Sequence, residues 1–78
     1  MAGGDAAARR AEEWVAEFAR LAGVDAPDRG QMGAILKLAA TAAHASERTA
    51  APMACWIAGI SDRPLAELNE IAERVGER

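Results

Sequence analysis

Three observations predict an all-α fold, a compact four-helix bundle with a short third helix. Of 78 residues, 21 are alanine, the strongest helix former. No stretch alternates Val, Ile, Thr and aromatics as a strand does. Four segments with apolar residues at helical spacing are each bounded by start or stop residues. Alanine is also the limitation of such a core. The large apolar side chains number 18 with Met1 included, and each alanine buries little area. A chain under about 80 residues gains little from one core, so a second copy or a protein partner is expected to complete it.

The most hidden part is expected to be Gln31–Ile60, where only Lys37, Glu47 and Arg48 are charged. Both flanks should pack against it. Its longest charge-free run, Thr49–Ser61, has 13 residues, and a membrane span needs about 20. The whole chain, 1–78, reads as one helical domain without linker or repeat.

Met1–Gly4 is expected as a disordered lead-in. The first helix should run from about Asp5, its N-cap or an acid near its positive end, to Ala22, with Ala11, Trp14, Val15, Phe18, Leu21 and Ala22 facing inward. Gly23 supplies the stop, and Val24 should fold back on the last turn. Asp28 and Gln31 stand in capping-box spacing at the start of the second helix, which should run to Glu47 or Arg48. Thr49 is the expected cap of a short third helix over Ala50–Ala58, with Pro52 in its first turn. Ser61-Asp62-Arg63-Pro64 leads into a fourth helix over Pro64–Val75, with Leu65, Leu68, Ile71, Ala72 and Val75 as its inner stripe.

Charge excludes some functions. Twelve acids against nine bases leave a net charge of −3, and no segment is strongly basic. Nucleic acid is therefore not an expected partner, nor is a membrane. A helix-turn-helix reading of the last two helices ranks below the others, because Glu67, Glu70 and Glu73 would repel phosphate. The single cysteine, Cys55, sits in an apolar run and reads as a buried, reduced thiol, which with the absence of an apolar leader segment points to the cytoplasm.

Two features stand out as candidate sites. On a helix of about 100° per residue, Lys37, Thr41, His44 and Arg48 share an arc of roughly 60°. Two cations, a hydroxyl and an imidazole in line suit a small anionic ligand or an acidic group of a partner. A solvated helix face, or Arg48 paired with an acid of the fourth helix, are the plainer readings. The second feature is Trp56 with Met53, either core or a hydrophobic anchor at an interface. His44 has no Cys or carboxylate grouping around it, so no metal, no cofactor and no catalytic residue are assigned.

The string LAATAAHASERTAAPMACWIAGI, from Leu38, resembles a small actinobacterial helical domain of unknown function. That domain carries a pattern of the type L-A-R-D-x-A-H-x-x-x-R-P-A-A-P-L-x-x-F-L-x-G. Leu38, Ala39, Ala43, His44, Arg48, Ala50, Ala51, Pro52 and Gly59 match it. Thr49 replaces its proline, Ala40-Thr41 its Arg-Asp pair, and Cys55-Trp56 its smaller or phenylalanine-like residues. The domain occurs alone, or attached to or encoded beside molybdenum-cofactor guanylyltransferase-type proteins. The resemblance implies a non-catalytic accessory or protein-interaction module associated with molybdenum-cofactor biosynthesis. A small helical enzyme or ligand-binding protein using Lys37, His44 and Arg48 is the alternative. The guanylyltransferase activity itself does not carry over, because no Gly-rich nucleotide loop is present.

Overall fold

A computed structural model describes residues 2–76 of the chain. It contains α1 (Ala2–Ala22), α2 (Arg29–Ala45), α3 (Ala50–Ile60) and α4 (Leu65–Arg74), with no strand among the described residues. The all-α, four-helix reading holds, and α3 is short at 11 residues. Met1 lies outside the described residues. Asp5 stands inside α1 rather than at its cap, since the helix already starts at Ala2.

Local chemistry explains most boundaries. The Val24 N–H donates to Ala19 O (3.0 Å) and the Gly23 N–H to Arg20 O (3.2 Å). This is the paired bonding that closes a helix through a left-handed residue, and Gly23 has φ 83°. Asp28 opens α2 as expected. Its Oδ1 accepts from the Gln31 N–H (2.8 Å), and its own N–H donates to Gln31 Oε1 (2.9 Å).

Other details differ: α3 runs on to Ile60 and α4 stops at Arg74. Helix α2 ends at Ala45, so Arg48 falls in the turn before α3. Pro52 keeps α2 and α3 from being one helix, since its ring would clash with the carbonyl of residue 48, and within α3 it stands in the first turn, where proline is tolerated. Thr49 does not cap α3 with its side chain. Its backbone is right-handed helical, φ −67° and ψ −17°, instead of the extended shape a capping hydroxyl needs. The Ala50 and Ala51 N–H groups are satisfied instead by Glu47 O (2.9 Å) and Arg48 O (3.1 Å). Pro64 is the N-cap of α4 rather than its first residue, while the Ser61 hydroxyl accepts from the Arg63 N–H at 3.0 Å to tighten the connection.

Helices α3 and α4 both pack on α2, and α1 touches the rest of the chain only sparsely. The buried apolar residues among those described are Ala19 and Leu38. The expected hidden middle is therefore corrected. Leu38 is at the centre of the core, but Leu36, Met53, Trp56, Ile57 and Ile60 remain exposed. In α4, Leu65, Leu68, Ile71 and Ala72 are half-buried as an inner stripe, whereas Val75 is exposed beyond the helix end. Cys55 is half-buried, because α3 turns it to the edge of its packed face.

A residue the apolar pattern passed over ties α4 to α2. Asn69 is only 6% exposed, and its Nδ2 donates to Ala34 O of α2 and to Leu65 O one turn back, both at 3.1 Å. Its Oδ1 is buried without a hydrogen-bond partner.

Candidate partner-binding surface

The surface is built on α3. Its Ala50, Ala54 and Ala58 are half-buried against α2, and small side chains there let the helices approach closely. That leaves Met53, Trp56 and Ile60 on the opposite side at i, i+3 and i+7, one stripe along the helix. Trp56 is 70% exposed, Ile60 67% and Met53 62%. The choice between core and surface for Trp56 and Met53 thus falls on the surface. Ile57, also exposed, stands between this stripe and α2.

The polar residues of α2 are less well grouped than their spacing suggests. Lys37 and His44 are exposed and lie within about 20° of each other around the helix. Their backbones are about 10 Å apart along the axis, at about 1.5 Å per residue. Thr41 is half-buried, because the face that packs is centred near Leu38 and Ala42 and takes Thr41 as its edge. Arg48 has left the helix, so helical spacing no longer sets it one turn from His44. Arg48 makes no ion pair with an acid of α4 among the described residues. The ion pairs found there are Arg20–Glu17, Arg29–Glu12 and Arg63–Glu67.

Arg20 grips Glu17 with two contacts, Nε to Oε1 at 3.0 Å and Nη2 to Oε2 at 2.5 Å. The hydrogen bond holds the Glu17 carboxyl below its ordinary range and pushes the Arg20 guanidinium up. Both side chains are exposed, so this pair supports one turn of α1 and little else.

A cavity lies elsewhere, between α1 and α2. It measures about 540 Å³ and is lined by Arg9, Glu12, Arg29, Met32 and Leu36 among others. None of Lys37, Thr41, His44 or Arg48 lines it. No cluster of His, Cys, Asp or Glu suited to a metal occurs among the described residues. No helix among them is long and apolar enough to cross a membrane.

Fold and surface together define a small all-α domain that exposes apolar side chains. Residues 6–77 match the family described as a domain of unknown function (DUF6457), and the chain belongs to that family. No curated protein and no solved structure matches it.

Proposed function

We propose that the chain is a non-catalytic accessory module that works by binding other protein surfaces. The observation that carries this reading is the Met53–Trp56–Ile60 stripe. Three large apolar side chains are exposed on one face, and Trp and Met are favoured as anchors at interfaces. Ten large hydrophobics are exposed in all among the described residues, far more than scattered surface apolars require. Lys37, His44 and Arg48 supply exposed basic and polar groups for an acidic rim on a partner. Two partner classes suit such a surface: a different protein on the α3 stripe, and a second copy of the chain. The resemblance of Leu38–Ile60 favours, for the first, a component of molybdenum-cofactor assembly in an actinobacterial cytoplasm.

The test is a titration of a purified molybdenum-cofactor guanylyltransferase-type protein with the chain, followed by calorimetry. Binding is expected, and Trp56→Glu should weaken it by at least about 30-fold, the effect of losing an interface hot spot. Arg48→Ala should weaken it by about 10-fold or more if its charge meets an acid there. Binding unchanged by Trp56→Glu would remove the stripe from the reading. Absence of binding would remove the cofactor-assembly partner.

A further inference from the structure

The bulk of α1 faces the wrong way for its own chain. Around the helix, Val15 and Ala19 point toward the rest of the protein, half-buried and buried. Trp14, Phe18 and Leu21 fall roughly 120° away from them at about 100° per residue. Trp14 and Phe18 stack on each other with ring centroids 5.1 Å apart, yet remain 65% and 59% exposed. The inward stripe expected of these residues is thus turned outward.

An apolar slot lies open between α3 and α4. Helices α3 and α4 stand on α2 without closing against each other. Between them, Leu38, Ala54, Ile57, Leu68, Ile71 and Ala72 line a cavity of about 140 Å³. Ala54, Ile57 and Ala72 continue into a second cavity of about 300 Å³ that reaches Met53 and Val75. Small side chains in the slot leave room for large ones, and α1 carries large ones without a place to put them.

Surface area indicates how much must be covered. A folded monomer of this mass, 8.2 kDa, exposes about 4,500 Å². This chain exposes 6282 Å². The excess is roughly 1,700 Å², within the about 1,000–2,500 Å² that each chain of an obligate homodimer buries. Even half of it reaches the about 800 Å² per partner of a standard interface.

We infer that two copies dock reciprocally, the Trp14–Phe18–Leu21 stripe of each lying in the α3–α4 slot of the other. The inference rests on the reading of the chain as an interaction module and names one partner, a second copy. The contact is two-fold and self-complementary, so it closes as a dimer rather than growing into a filament. It needs no movement of α1, because stripe and slot are both already open. Trp56 and Ile60 stay outside the slot and remain available to another protein.

Sedimentation velocity of the full chain at micromolar concentration should show a dimer. Phe18→Glu and Ile57→Glu should each raise its dissociation constant by at least about 30-fold with helix content unchanged, while Trp56→Glu should not. Geometry is read separately by cross-linking in a Cys55→Ser background. A chain with Phe18→Cys is mixed with a differently tagged chain with Ile57→Cys and oxidised. The 18–57 disulfide should exceed both the 18–18 and the 57–57 products. A monomer at 50-fold higher concentration, a dimer indifferent to Phe18→Glu, or a dominant 18–18 product would each overturn the inference. A monomer that still binds another protein through Trp56 would leave the interaction-module reading standing and remove only the dimer.

Discussion

Asn69 offers the sharpest quantitative test of how this fold is held. Its side chain is buried at the α2–α4 contact, donating to Ala34 O and Leu65 O at 3.1 Å, with Oδ1 unpartnered. Replacing it by aspartate keeps shape and removes both donors. Two hydrogen bonds are lost at about 1 kcal/mol each, and a carboxylate is left facing two carbonyl oxygens. Burial of an unpaired charge adds to that, so Asn69→Asp should destabilise by at least about 3 kcal/mol at neutral pH. A 78-residue domain has about 4–12 kcal/mol in total, so the variant should be close to unfolding. The deficit should shrink in acid. The introduced carboxyl would have a folded-state pKa raised above its unfolded value of about 4, so the folded form binds the extra proton and stability falls as pH rises through that window. Asn69→Leu is the control. It loses the same two bonds but removes the orphaned Oδ1, whose burial costs about 1–3 kcal/mol, so the net change should stay within about 1 kcal/mol. Urea unfolding followed by circular dichroism at pH 7 and pH 4 measures all three proteins. An Asn69→Asp variant within 1 kcal/mol of the parent at pH 7, or an Asn69→Leu variant as damaged as the aspartate, would refute the hydrogen-bond accounting.

Other outcomes follow from the same structure. Asp28→Ala breaks the reciprocal bonding with Gln31 and should cost about 1 kcal/mol, read as a lower urea midpoint. Leu38→Ala removes the largest buried apolar side chain and should cost about 2–5 kcal/mol by the same measurement. Arg48→Ala should leave the melting temperature almost unchanged, within about 0.5 kcal/mol in stability, since Arg48 is exposed and pairs with no acid of α4 among the described residues. The Glu17 carboxyl is lowered by Arg20, so its pair with Arg20 persists through neutral pH and is lost only as pH falls through that lowered value; helix content measured between pH 6 and 8 should not change on its account.

The helices were legible in the sequence because their signals are local. Gly23, the Asp28/Gln31 box and Pro52 each act through backbone geometry within a few residues, and each places a boundary in the structure. What was not legible was the direction in which each face points. The apolar arc of α1 spans Leu21 round to Ala19, and periodicity alone assigns all of it to one core. The chain covers only the Val15–Ala19 edge. In α2, alanine on several sides makes the arc so wide that the packed face, near Leu38 and Ala42, is displaced from the centre the pattern suggests. Thr41 goes half under as a result. The polar stripe departs from its expected register for a different reason: α2 ends at Ala45, which leaves Arg48 in the turn before α3. Asn69 was missed because it is polar, although it lies one turn from Leu65 on the half-buried side of α4 and so falls inside the apolar arc.

The apolar faces that point away from the core share a cause, and it bears on function. A packed face built largely of alanine brings α3 close to α2 but supplies few large groups to bury. Of the ten large apolar side chains left exposed among the described residues, six sit on α1 (Trp14, Phe18, Leu21) and on the outer face of α3 (Met53, Trp56, Ile60). Hydrophobic pattern therefore records apolar surface without recording which of it the chain itself covers. For Leu38 the cover is α3 and α4. For Trp56, Met53 and Ile60 no segment of the described chain provides it, and burying those three is worth about 1.5–3 kcal/mol for each side chain fully removed from water. That free energy is available only on association, and it is the physical reason to read the chain as a module that binds protein surfaces.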